Sequence, residues 1–110
     1  MSVVDPNVID GMGIDGDTLV FMISDHLTWA VHQAAHLSYL RDKFNAYIRY
    51  IDEKQWRSVY RNRKFESFRI EVCFKYQYPE VFVTMVEAVG DKLKENKIEM
   101  IYQVAETEGK

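Results

Sequence analysis

Between residues 68 and 75 the side chains alternate without a break. Phe68, Ile70, Val72 and Phe74 are apolar, and Arg69, Glu71, Cys73 and Lys75 fall between them. Successive side chains on a strand point to opposite faces, so this run predicts a strand with one apolar face. A sheet built on such a strand must bury that face against another layer. The chain supplies the cover on both sides of the run. Leu37, Leu40, Phe44, Tyr47, Ile48 and Ile51 recur at steps of three and four, which predicts an amphipathic helix over about residues 31–54. Arg41, Asn45, Arg49 and Asp52 fall on its outer side, and Thr28 is a candidate cap. Phe82, Met85, Val86, Val89 and Leu93 predict a second helix, opened by Tyr78-Pro79 and closed near Lys92, Lys94 and Asn96.

Two further strands precede the first helix and one follows the second. Val8 to Ile14 and Thr18 to Ser24 flank Asp15-Gly16-Asp17. Glycine reaches positive φ at no steric cost, so this reads as a tight hairpin turn. Ile98, Met100, Tyr102 and Val104 alternate with Lys97, Glu99, Ile101 and Gln103 in a last strand. The order β-β-α-β-α-β predicts an α+β two-layer sandwich, a four-stranded mixed sheet with two helices on one face. If both helices are crossovers, the last three strands run parallel and the first pairs antiparallel with the second. The segment 55–65, with Trp56, Val59 and Tyr60, reads as a helical turn capping the core; it could instead reverse the chain. Residues 1–7 read as a loose lead-in and 106–110 as a frayed tail.

Composition narrows the class. A chain of 110 residues fits one domain, and 47% apolar residues exclude intrinsic disorder for its bulk. The longest apolar run, Leu19 to Ile23, is far too short to span a bilayer. The first residues lack the basic and apolar regions of a secretory leader. A lone cysteine, Cys73, cannot form an internal disulfide. Together these predict a soluble cytoplasmic protein. The net charge of -3 conceals an asymmetry: residues 1–40 carry -5, residues 41–75 carry +5 and residues 76–110 carry -3.

Three stretches carry a family likeness. They are Pro6-Asn7-Val8-Ile9-Asp10, then Ile23-Ser24-Asp25-His26-Leu27-Thr28-Trp29, then a helix pattern of His36, Leu37, Leu40, Lys43, Asn45, Tyr47, Ile48 and Ile51. The chain resembles, over about residues 6–104, a family of small uncharacterised bacterial proteins, a domain of unknown function. The resemblance implies a bacterial cytosolic single domain and supplies no activity, cofactor or catalytic residue.

The candidate sites are read from the residues. His32 and His36 are four apart and could face one metal, with Asp25 or His26 as a third ligand. Gln33 stands where a zinc protease helix carries its general base, so that chemistry is missing. The plainer reading has His36 packed beside Leu40 and His32 facing solvent, and no tightly bound metal or cofactor is expected. Lys54, Arg57, Arg61, Arg63 and Lys64 form a basic patch interleaved with Trp56, Tyr60 and Phe65. Cations beside aromatics suit single-stranded nucleic acid, but the acidic whole, pI ≈ 5.6, argues against it. The second sheet face would present Val20, Met22, Cys73 and Ile101 among Arg69, Glu71 and Glu99, the pattern of a partner surface. The leading expectation is therefore a non-catalytic interaction or regulatory module that binds a protein partner or itself as a homodimer. The alternatives are a metal-dependent enzyme centred on Asp25, His26 and His36, and nucleic-acid binding through residues 54–64.

Overall fold

The computed structural model describes residues 9–30 and 32–105. The expected lead-in and tail, and Val8 at the start of the first expected strand, lie outside the described residues. The elements in chain order are β1 Gly11–Asp15, β2 Thr18–Asp25, α1 Gln33–Asp52, a 3-10 turn Gln55–Ser58, β3 Ser67–Phe74, α2 Glu80–Ala88, α3 Gly90–Glu95 and β4 Ile98–Val104. The fold is α+β, with a four-stranded mixed sheet in the order β1-β2-β3-β4. β1 and β2 are antiparallel, while β2, β3 and β4 are parallel. The direction of β3, left open by the sequence, follows from the length of α1. A 20-residue helix runs back about 30 Å, so β3 starts at the same end as β2, with Thr18 beside Ser67.

The turn between β1 and β2 has Gly16 at φ +62, the left-handed conformation that the hairpin requires. β1 begins at Gly11, later than expected: the Asp10 N–H goes to the Tyr47 hydroxyl and the Ser24 N–H to the Asp10 carboxylate, not to a strand partner. Gly11 and Gly13 pair with Met22 and Val20. A Cβ on Gly11 would lie 3.2 Å from Met22 Cε, so the glycines leave room for the Met22 side chain across β1.

The second helix is two helices. Val89, with φ -98 and ψ 9, leaves helical geometry before Gly90, and glycine is the residue that a helix interior holds least well. The apolar stripe nevertheless continues across the break, from Phe82 to Leu93. Leu19, Phe21 and Ile23 of β2, Ile70, Val72 and Phe74 of β3, and Leu40, Phe44, Tyr47 and Ile51 of α1 share one core with Phe82. Met22, Cys73, Glu99, Ile101 and Gln103, which alternate with core residues on the strands, are exposed. Among the described residues no helix is long and apolar enough to cross a membrane.

Candidate functional site

The loop before β3 and the ends of two helices enclose a groove of about 800 Å³. It lies at the N-terminal ends of β3 and β4, next to the C-terminal ends of α1 and α3. All five residues of the expected basic patch, Lys54, Arg57, Arg61, Arg63 and Lys64, line it, and Lys97 joins them from the turn before β4. Among the described residues, Asp52 and Glu66 are the only carboxylates in the lining. Six cations against two acids give the groove a formal +4, and a chain of net -3 then carries -7 elsewhere. Among the described residues none of the six cations enters an ion pair, whereas Arg41 and Lys43 each have one and Arg69 has three.

Aromatic side chains make the groove's floor. Trp56 is buried and meets Phe65 edge-on at 5.2 Å and Phe68 at 5.9 Å between ring centres. Two arginines lie over these rings, Arg57 at 5.8 Å from the Trp56 centre and Arg63 at 5.5 Å from the Phe65 centre. A guanidinium held on a ring keeps its N–H edge available for a carboxylate or phosphate fork.

Backbone strain marks the same groove. Among the described residues only two non-glycine residues have positive φ, Lys54 at 57 and Lys97 at 58, and both line it. Each follows the C-terminal end of a helix, where glycine is the usual left-handed residue. A side chain there costs on the order of 1 kcal/mol. The negative end of a helix dipole also favours a cation at such positions, so strain and dipole act in opposite directions here.

The polar cluster expected from the sequence is half assembled. Asp25 and His36 are both buried, and His36 Nε2 hydrogen-bonds Asp25 Oδ2 at 2.5 Å. Asp25 Oδ1 accepts the Leu27 N–H at 3.0 Å, and the His36 ring stacks on Trp29 at 3.7 Å. Asp25 thus ties the end of β2 to its following loop and to α1. His26 does not join them: it is exposed, as the residue after an inward-facing strand position should be. His32 is exposed at the helix start, without a side-chain cap bond. Thr28 bonds the Ala30 N–H in the preceding turn rather than capping α1. Among the described residues no group of three His, Cys, Asp or Glu side chains is placed to hold a metal ion.

The open sheet face differs from the expected one at Val20. Met22, Cys73 and Ile101 are exposed, but Val20 is buried. The cause is Arg69, its register neighbour in β3. Arg69 donates to Asp15 on β1 at 3.2 Å, and to Glu71 at 3.2 Å and Glu99 of β4 at 3.5 Å. To reach Asp15 from β3 the side chain must cross β2, and it covers Val20 on the way. These three hydrogen-bonding carboxylates also raise the Arg69 pKa, the Asp15 bond most. Arg69 and Glu99 thus lie at one end of the face, while Glu71 sits in register between Met22 and Ile101 instead of on a rim.

A second buried polar group was absent from the sequence reading. Lys43 and the Asp10 side chain are both buried, and Lys43 Nζ lies 2.8 Å from Asp10 Oδ1. Tyr47 accepts the Asp10 N–H at 2.9 Å through its hydroxyl and donates to the Met22 carbonyl at 3.1 Å. The signal was Lys43 itself, a cation set on the apolar stripe between Leu40 and Tyr47. Burial, and then the nearby Asp10 charge, raise the Tyr47 pKa well above the usual value for a phenol. A folded-state pKa raised above about 10 gives stability that is complete below pH ~10 and lost as pH rises toward the folded value. Urea unfolding across pH 8–12 is expected to show a fall above about pH 10. In Tyr47→Phe that fall should be shallower, and an unchanged slope would remove Tyr47 as its source.

No curated protein and no solved structure matches the chain. The model of a family of unknown function (DUF6572) matches residues 1–106, nearly the whole length, and the chain belongs to that family.

Proposed function

We propose that this protein is a non-catalytic interaction module that binds an anionic partner in the basic groove. The observation that supports this reading is the convergence of six cations, none in an ion pair among the described residues, on one aromatic-floored groove of a net acidic chain. Electrostatic complementarity of this kind speeds encounter and selects partners by sign. The reading takes the protein as a bacterial cytoplasmic one, on the strength of the sequence resemblance and the single cysteine. Retention on a heparin column tests it. The wild type is expected to be retained at low salt despite its acidic pI, and Arg61→Glu with Arg63→Glu should abolish retention. A wild type that passes unretained at low salt would refute the reading.

A second surface supports self-association. The face bearing Met22, Cys73 and Ile101 also holds a shallow cavity of about 340 Å³ lined by those three residues with Glu71 and Gln103. We propose a second copy of the chain as its occupant, in a symmetric weak dimer. Burying such side chains contributes roughly 1.5–3 kcal/mol each before association costs. Light scattering over a concentration series is expected to show a doubled mass that Ile101→Lys returns to one chain. A wild-type mass that stays at one chain sinks the dimer, and a doubled mass that ignores Ile101→Lys sinks the choice of face.

A further inference from the structure

We infer that the anionic partner of the groove is a carboxylate-rich segment of another protein rather than a nucleic acid; the inference rests on the groove reading above. Three observations favour the acidic segment. The first is the state of the rings. Single-stranded nucleic acid binds by stacking bases on open aromatic faces. Here Trp56 is buried, and Arg57 and Arg63 already lie over Trp56 and Phe65. The rings are thus covered, Arg63 also donating to the Gly16 carbonyl at 3.5 Å, and guanidinium groups match carboxylates in paired N–H to O bonds.

The second observation is the charge around the groove. The groove carries a formal +4, and the rest of the chain sums to -7. Screening extends only about 8–10 Å at physiological ionic strength. A short acidic segment can stay within the positive region, whereas a longer nucleic-acid strand would extend beyond it onto a chain whose remaining charge is net negative. The volume of about 800 Å³ is that of a pocket for a compact ligand or a few residues of chain.

The third is the pair of left-handed lysines. Glycine would relieve the backbone at both Lys54 and Lys97, which approach the groove from different helix ends. A lysine at each keeps an ammonium at the groove at the expense of local backbone strain, as expected where ligand contact outweighs it. Compact ammonium groups on flexible stems can follow carboxylates spaced along a peptide.

Fluorescence anisotropy with two labelled probes of equal formal charge tests the inference. One is an octaglutamate peptide and the other an oligothymidine. The wild type is expected to bind the peptide at least about tenfold more tightly than the oligonucleotide. Arg57→Glu with Arg61→Glu should weaken the peptide at least about tenfold. Lys54→Gly and Lys97→Gly should each weaken it about threefold while leaving the melting temperature unchanged or raised. An oligonucleotide that binds as tightly as the peptide overturns the inference and leaves the anion-binding groove standing. Failure of both probes to bind overturns the groove reading as well. Glycine variants that melt lower and bind the peptide unchanged would show that the lysines serve the helix ends, and would remove the third support.

Discussion

Phe44→Ala and Phe74→Ala are each expected to lower the unfolding free energy by about 3–5 kcal/mol, the cost of deleting a fully enclosed ring and leaving a cavity. Both side chains are almost completely inaccessible, at 0% and 1%. Phe44 projects from α1 and meets Phe82 of α2, with ring centres 6.2 Å apart. Phe74 ends β3 and sees three rings: Phe82 edge-on at 4.9 Å, Tyr78 at 5.2 Å and Trp29 at 6.0 Å. The Phe74 cavity therefore opens between the sheet, α2 and the loop that follows β2. Its cost should lie toward the upper end, because three separate elements would have to shift to close it. A domain of this size has only about 5–15 kcal/mol of stability to lose. Urea denaturation measures the change, and a loss below about 1 kcal/mol at both positions would mean that the core faces of α1 and β3 are misassigned.

Those two faces were readable because their periods are unambiguous. Alternation by two at residues 68–74 and steps of three and four at 37–51 each leave one direction for the core, and the hairpin turn is marked by a glycine that takes positive φ. The parts that were not readable depend on distant neighbours. The apolar stripe of Phe82 to Leu93 continues through Gly90, so the stripe could not disclose that the helix breaks there. The lateness of β1 follows from Asp10, whose N–H and carboxylate bond Tyr47 and Ser24 from other elements. The burial of Val20 follows from an arginine on another strand that reaches a carboxylate on a third.

The candidate groove divides in the same way. Five of its cations lie within one eleven-residue stretch, residues 54–64, and were legible as a patch. Lys97 arrives only because parallel pairing of β3 with β4 brings the turn before β4 beside the start of β3, where Phe68 N–H donates to Lys97 O at 2.9 Å. Charge is additive along a sequence, but its concentration in space is set by strand order. His26 illustrates the converse. It adjoins Asp25 in sequence, yet the strand alternation sends it outward, and the partner of Asp25 is His36, eleven residues on.

Asp10→Ala is expected to cost about 3–5 kcal/mol, because it takes one carboxylate partner from the buried Lys43 ammonium and frees the Ser24 N–H that the same carboxylate accepts. The Lys43 side chain is 0% exposed and sits in α1 among Leu40, Phe44 and Tyr47. Its ion pair also fixes the chain entering β1: Asp10 Oδ2 accepts the Ser24 N–H at 3.1 Å, while its own N–H donates to Tyr47. One carboxylate thus joins the start of β1 to β2 and to α1. The net worth of a buried pair is a separate quantity from the cost of breaking it. Replacing both partners by apolar groups of similar volume is often neutral, since the desolvation of two charges is then relieved as well. The variant Asp10→Val with Lys43→Met is therefore expected to lie within about 1–2 kcal/mol of wild type, well above Asp10→Ala alone. Urea unfolding of the two single variants and the double gives the coupling directly. A double variant as unstable as Asp10→Ala would mean that Asp10 acts through its bonds to Ser24 and Tyr47 and not through Lys43. A loss below about 1 kcal/mol in Asp10→Ala would mean that the buried ammonium is satisfied without it.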